Sequence, residues 1–252
     1  MQITVEGSGP DLMLLHGWGA SAHVWHDIAA LLARKFRVHR MHLPFSGVDE
    51  IGTPYTLDTL ADALAAVGKT GATICGWSLG GQVALRCAIK QPDKIRRLVL
   101  IAATPRFVRG ANWEHGMEPA VFDAFAESLT EDVANTLQRF VLLQAHGDSA
   151  ARGVARRLRE YAATSVDIDA ATLAAGLQIL KETDLRSNLP TIALPVLILH
   201  GARDEVVPLA AGRYLQRALP HAKLEIIAGA AHAPFISNPQ AVARHIMKFV
   251  DG

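Results

Sequence analysis

One stretch limits what this chain can fold into more than any other: Thr73-Ile74-Cys75-Gly76-Trp77-Ser78-Leu79-Gly80-Gly81-Gln82. An apolar run suited to a buried strand meets a glycine-pinched turn that carries a serine, and a helix-forming segment then runs to about Lys90. This is a G-x-S-x-G pattern with a strand before it and a helix after it. Gly76 and Gly80 lack a Cβ, so strand and helix can approach closely and the serine can take a strained conformation. The Ser78 hydroxyl then projects beyond the end of the strand. The Leu79 N–H stands at the helix N-terminus, where a donor and the positive end of the dipole can face a developing oxyanion. Taken alone, the pentapeptide also suits a glycine-rich turn with no chemistry.

The flanking sequence supplies a sheet for that turn. Short apolar runs at Leu12–Leu15, 36–41, Leu98–Ala102, Pro195–Leu199 and Lys223–Ile227 alternate with helical periodicity near 22–34, 57–67, 209–218 and 239–250. Residues 1–6 suit a short edge strand, and Thr56 is placed to cap the helix that follows it. Strands alternating with helices predict an α/β fold with a mostly parallel central sheet and right-handed crossovers. From about Arg106 to Asp184 the strand rhythm stops, and the alanine- and arginine-rich sequence predicts helices near 119–128, 131–146, 150–162 and 169–181. The rhythm resumes at Pro195, which argues for a helical cap or lid (106–184) inserted between two parts of one core (1–105 and 185–252) rather than for a C-terminal helical domain.

Composition narrows the function classes. An apolar fraction of 50% in 252 residues supports a large core, and a formal net charge of +1 gives no global attraction to nucleic acid or to a membrane. No apolar run is long enough to span a bilayer, and the N-terminus lacks the basic-then-apolar pattern of a signal peptide, so a cytoplasmic protein is expected. Cys75 and Cys87 have no metal-ligand spacing and read as two small buried thiols.

In an open parallel sheet, ligands bind beyond the carboxyl ends of the strands. Four such ends here carry His16-Gly17-Trp18, Ser78-Leu79, Asp204 and His232. A serine hydroxyl needs an adjacent base; His232, in a small-residue loop after the last strand, can take its proton and return it to a leaving group. Asp204 can orient that imidazole and stabilise its charged form. The backbone N–H groups of Trp18 and Leu79 are the candidate oxyanion donors. Rivals exist for each role: His16 for the base, Glu205 for the acid, and His39 with His42 for a metal, although no carboxylate cluster or helical HExxH accompanies that pair. Asp184 reads as a surface or hinge residue. The indoles of Trp18 and Trp77 can each wall a pocket or pack as core.

The chain order Ser, Asp, His is that of the α/β-hydrolases. The strings His16-Gly17-Trp18-Gly19, Gly76-Trp77-Ser78-Leu79-Gly80-Gly81, Ala231-His232-Ala233-Pro234-Phe235-Ile236-Ser237 and Leu177-Gln178-Ile179-Leu180-Lys181, with Asp184-Leu185-Arg186, resemble the pimeloyl-[acyl-carrier protein] methyl ester esterases of biotin synthesis. The segment Arg139-Phe140-Val141-Leu142-Leu143-Gln144 resembles that family's substrate-contacting helix, which places Phe140, Val141, Leu142, Leu143 and Gln144 at the substrate beside Trp18, Ser78, Leu79 and His232. The resemblance implies hydrolysis of a methyl ester on a pimeloyl chain carried by acyl carrier protein, with no metal or organic cofactor. One departure is visible: His42-Leu43-Pro44-Phe45-Ser46-Gly47 replaces the D-x-P-G-x-G that many α/β-hydrolases carry.

Phe140, Leu143 and Gln144 fall at i, i+3 and i+4 and so share a helix face, which suits either a tunnel wall for a methylene chain or ordinary core. Arg152, Arg156 and Arg159 also share a face, with Arg139 and Arg157 nearby in sequence. Spacing alone fits a solvated helix face; with the resemblance, Arg139, Arg152, Arg156 and Arg159 become the expected docking patch for an acidic carrier protein. A monomer is expected. Two other functions fit the same residues: a general short-chain esterase or lactonase without carrier dependence, and a non-catalytic small-molecule receptor.

Overall fold

The computed structural model describes residues 2–43, 55–163 and 169–251. Within them, strands β1 (Ile3–Glu6), β2 (Asp11–Leu15), β3 (Arg37–Met41), β4 (Ala72–Trp77), β5 (Ile95–Ile101), β6 (Val196–Gly201) and β7 (Ala222–Ile227) form one sheet in the order β1-β3-β2-β4-β5-β6-β7. β1 runs antiparallel to β3, and every other pairing is parallel. The expected α/β architecture is therefore present. The edge strand's antiparallel direction was not foreseen, because four residues of alternating polarity carry no directional signal.

Side-chain alternation along the strands builds two cores, one on each face. Met13, Leu15, Ile74, Leu98, Leu100, Val196 and Ile198 join one core with α2 (Leu57–Val67), α3 (Leu79–Lys90) and α8 (Leu209–Ala218). Leu12, Leu14, Cys75, Trp77, Val99, Ile101, Leu197 and Leu199 join the other with α1 (His26–Leu32), α9 (Pro234–Ser237) and α10 (Pro239–Asp251). Strands apolar on both faces fit a parallel sheet covered on both sides. The helix expected at 22–34 is divided: a 3₁₀ turn over Ala22–Trp25, capped by Ser21, precedes α1. Thr56 caps α2 as expected, and Thr59 reciprocates to close a capping box. Among the described residues no helix is long and apolar enough to cross a membrane.

Between β5 and β6 come α4 (Pro119–Glu131), α5 (Val133–Ala145), α6 (Ala151–Ala163) and α7 (Ala170–Glu182), close to the helices read from the sequence. Their starts are set locally: Pro119 begins α4, Asp132 caps α5 through Asn135 N–H, and Asp169 caps α7 through Thr172 N–H. Isolated bridges Val108↔Met117 and Gly110↔Trp113 shape the approach to α4. The two ends of this helical segment are tied together. Arg106 Nη1 donates to Asp184 Oδ2 at 3.0 Å, Arg186 Nη2 donates to the same oxygen at 2.7 Å, and the Leu185 N–H reaches Pro105 O at 3.0 Å. Asp184 is thus a fastener between entry and exit.

The Arg186 hydrogen bond, aided by both guanidinium charges, holds the Asp184 carboxyl below its ordinary value of 3.8. A carboxyl depressed in the folded state stabilises above its unfolded value, and that contribution is lost as pH falls through the folded one. Asp184→Asn should therefore lower unfolding free energy by about 1 kcal/mol or less near pH 7, since the pair is partly solvated. Urea titrations of both proteins should show the difference shrinking below about pH 4.

Candidate active site

Ser78 sits at the junction of β4 and α3 with φ 54° and ψ −117°, a conformation that costs about 1–3 kcal/mol for a non-glycine residue. Its surroundings leave the backbone little alternative. A Cβ on Gly80 would lie 2.5 Å from Leu15 O, and one on Gly76 would collide with the Gly80 carbonyl. Strand and helix therefore meet at backbone contact, and the Ser78 N–H is fixed by Ile101 O at 3.0 Å. Leu79 is the first residue of α3, so its N–H has no intrahelical acceptor. Gly17 packs on the other side: a Cβ there would be 3.2 Å from Ser78 Cβ, which brings the turn carrying Trp18 against the serine.

Asp204 and His232 arrive from the ends of β6 and β7. His232 Nδ1 donates to Asp204 Oδ2 at 2.9 Å, with both side chains buried. The other carboxylate oxygen, Oδ1, accepts from Val206 N–H at 3.0 Å and Val207 N–H at 2.9 Å, so the acid is held by its own loop. With Nδ1 as donor, the lone pair of the imidazole lies on Nε2, which is buried and among the described residues has no hydrogen-bond partner, Ser78 Oγ included. The ring lies against Trp77, at 5.6 Å between centroids, and the Trp77 Nε1–H donates to His232 O at 2.8 Å. Trp77 therefore supports the histidine from beneath and forms no part of the apolar cavity beside Ser78. A catalytic hydrogen bond that tightens only with substrate is common in unliganded sites.

The rivals are accounted for by their partners. His16 is wholly buried, accepts from Leu43 N–H at Nε2 (3.2 Å) and lies 2.9 Å from Gly17 O through Nδ1; burial pushes its pKa down to about 3. It is a neutral strut between the ends of β2 and β3. Glu205 is exposed and pairs with His146 at 2.9 Å. His39 pairs with Asp11 at 2.6 Å, His42 meets the His23 ring edge to face, and among the described residues no three His, Cys, Asp or Glu side chains converge as metal ligands. Burial raises both thiols, Cys87 to about 11, so neither ionises near neutrality. The variant loop's residues 44–47 lie outside the described residues.

Beside Ser78 is a narrow apolar cavity of about 50 Å³, lined chiefly by Trp18, Phe107, Phe122, Phe125, Phe140 and Leu143. The Trp18 indole is held there by Phe125 and Phe140, at 5.5 and 5.1 Å, and by Nε1–H donation to Leu173 O at 2.9 Å. It both walls the cavity and packs under α4, α5 and α7. Of the segment 140–144, Phe140 and Leu143 line the cavity. Gln144 is buried, its Oε1 has no hydrogen-bond partner among the described residues, and its backbone oxygen accepts from the His232 N–H at 3.3 Å. Val141 packs into the opposite core and Leu142 is 50% exposed, so those two are not brought to the cavity. Larger clefts of about 390 and 610 Å³ lie elsewhere and contain none of these residues, so chemistry rather than volume marks the site.

Arg139 on α5 and Arg152, Arg156 and Arg159 on α6 are exposed, with Arg156 lying 3.7 Å from Glu160. Arg157 is different: it forks onto Asp27 of α1 and also reaches Glu160, so it fastens α6 to the core. Two further residues carry parts of the site that sequence reading missed. His200 is buried, donates from Nε2 to Val207 O at 2.8 Å and lies 3.5 Å from Asp204 Oδ2; burial lowers its pKa, which keeps it neutral beside the acid. Its only sequence signal is its place four residues before Asp204 at a strand end. Asp148 bonds to Ala231 N–H at 2.9 Å across 83 residues of chain, and nothing local announces that.

The chain matches the family described as alpha/beta hydrolase fold over residues 10–239. Among curated proteins it is 39% identical over 240 residues to the pimeloyl-[acyl-carrier protein] methyl ester esterase of Nitrosomonas europaea, covering 95% of each chain. It is 41% identical over 251 residues to the protein of that name from Stenotrophomonas maltophilia, covering 99% of this chain and 96% of the relative. Solved structures include an esterase from Exiguobacterium antarcticum, with TM-score 0.89 and 23% identity over 99% of this chain and 95% of that one. An enol-lactonase from Burkholderia xenovorans superposes with TM-score 0.83 and 23% identity over 100% and 96% of the two chains. At such identity the structural likeness speaks to the fold, whereas the full-length sequence matches reach further: this chain belongs to the α/β-hydrolase family and, within it, to that of the pimeloyl-[acyl-carrier protein] methyl ester esterases.

Proposed function

We propose that this chain is a serine carboxylesterase that hydrolyses the methyl ester of pimeloyl-[acyl-carrier protein], releasing methanol and leaving a free carboxylate on the carrier-bound chain, a step of biotin synthesis. The observation that carries this reading is the buried His232–Asp204 pair at 2.9 Å, which leaves the imidazole Nε2 without a hydrogen-bond partner among the described residues, together with the strained Ser78 turn. The names of the full-length relatives supply the substrate.

In this reading Ser78 Oγ attacks the ester carbonyl while His232 Nε2 takes its proton, and Asp204 stabilises the imidazolium. The N–H groups of Trp18 and Leu79 receive the oxyanion. His232 returns the proton to methoxide, methanol leaves, and a water activated by the same imidazole releases the acid. The inserted segment 106–184 is a cap whose apolar side chains hold the methylenes. Its cavity of about 50 Å³ is well below the roughly 300 Å³ of a ligand pocket, so the cap helices or their side chains part to admit the chain. The carrier stays outside against Arg139, Arg152, Arg156 and Arg159, which keeps its thioester away from Ser78.

Ser78→Ala should abolish hydrolysis of methyl esters with little change in melting temperature. Asp204→Asn should lower kcat by about 10⁴-fold, as a mis-oriented histidine does in a comparable triad. Glu205→Gln, at an exposed carboxylate paired with exposed His146, should stay within about threefold. Ester turnover followed by liquid chromatography measures all three. Retained activity in Ser78→Ala removes the serine from the mechanism.

Reversing charge at Arg139, Arg152 and Arg159 together should lower kcat/KM for the carrier-bound ester most strongly at low salt, because exposed charges steer encounter and are screened as salt rises. A free methyl butyrate should be turned over at nearly the parental rate. Equal loss on both substrates would indicate a damaged cap. No loss on the carrier substrate would favour a general short-chain esterase.

A further inference from the structure

The turn between α5 and α6 touches both loops that bring the proposed acid and base together. Asp148, buried in that turn, uses each carboxylate oxygen on a backbone donor: Oδ1 accepts from Ala150 N–H at 2.8 Å and Oδ2 from Ala231 N–H at 2.9 Å. Beside it the Ser149 N–H donates to Gly229 O at 2.8 Å, and one turn earlier Gln144 O accepts from the His232 N–H at 3.3 Å. Three successive attachments therefore run from the inserted helices to the loop 229–232. On the neighbouring side, Arg203 Nη1 donates to Gly147 O at 3.4 Å and His146 pairs with Glu205 at 2.9 Å, flanking Asp204.

We propose that Asp148 is a positioning residue for the base, fixing through the Ala231 peptide where His232 presents Nε2. The proposal rests on the reading of Ser78, Asp204 and His232 given above. The Asp204 hydrogen bond orients the His232 ring but leaves open how far its backbone stands from Ser78. That distance is set by the peptides around residue 232, and among the described residues the Ala231 N–H is anchored by Asp148 alone. A carboxylate suits this place because two N–H groups converge on it and each needs an acceptor. Asparagine has one acceptor and turns an NH₂ toward the other donor. A displacement of about 1 Å in a reacting group can cost on the order of 100-fold in rate. The same attachments make the position of the inserted helices legible to the base, so their movement on substrate entry reaches His232 directly.

The test uses the full-length enzyme, a free methyl butyrate that does not depend on carrier docking, and a fluorophosphonate. In the second reaction the Ser78 oxygen bonds to phosphorus, fluoride leaves and the hydroxyl proton passes to His232, so its rate reports the activated serine without substrate binding. Asp148→Asn should lower kcat by about 10–100-fold with KM within about twofold, and slow phosphonylation by the same factor. Asp148→Ser keeps an acceptor for its own turn and has none that reaches Ala231; it should show the same loss if the asparagine variant does not fold. Arg157→Ala severs a different tie between α6 and the core, to Asp27, and should lower the melting temperature while both rates stay within about twofold of the parent. Parental kcat and phosphonylation in folded Asp148→Ser would overturn the proposal while the triad stands, as would an equal loss in Arg157→Ala. Phosphonate found by mass spectrometry on any residue but Ser78 in the parent would overturn the triad reading and the proposal with it.

Discussion

The backbone contact between β4 and α3 is the constraint on which the rest of this structure depends. Only because Gly76 and Gly80 bring strand and helix together can Ser78 hold φ 54° at the tip of the turn. The strain of about 1–3 kcal/mol is offset by what the same contact allows, since each fully buried large apolar side chain contributes about 1.5–3 kcal/mol. Trp77 and Cys75 point into one core and Ile74 into the other, each buried in a sheet that is apolar on both faces. The turn is rigid because it has no room to relax, and its rigidity lets loops from β2, β6 and β7 be placed against it.

Those loops are fixed by different means. The loop after β2 is held by neutral His16, which bonds the ends of β2 and β3 together. Asp204 is fixed by two N–H groups of its own loop, and His200 packs behind it. The His232 loop has less of its own structure and borrows support: Trp77 from below, and Gln144, Asp148 and Ser149 from the inserted helices. Asp204 and Ser78 are placed by the strands and loops that carry them, while His232 is held both by the strand β4 and by the helices between β5 and β6. Such an arrangement suits chemistry that must be exposed for entry and closed for reaction.

Beyond those hydrogen bonds to the His232 loop, the helices between β5 and β6 have two further attachments of different character. One is apolar: Trp18 of the core is enclosed by Phe125, Phe140 and the α7 backbone, which also forms the wall of the cavity. The other is electrostatic: Arg157 on Asp27, and Arg106 with Arg186 on Asp184 at the entry and exit of the segment. Arginines that look alike in sequence thus divide by what they meet, some bound to the core and others left facing solvent.

What the sequence determined by itself was local and periodic. The strand-turn-helix at Ser78, the alternation of strands and helices, the interruption at 106–184, and the ends carrying Asp204 and His232 follow from side-chain size, apolar spacing and glycine placement within short windows. The family could likewise be read from short strings at those ends. Tertiary structure decided everything that joins distant segments. Asp148 and Ala231 stand 83 residues apart, Arg157 and Asp27 130 apart, and Trp18 and Leu173 155 apart, and no periodicity within any of those segments encodes its partner. Leu142 and Phe140 belong to the same apolar run, yet one is exposed and the other lines the cavity, because a helix turns 100° per residue and only packing against α4 and Trp18 decides which face is inside.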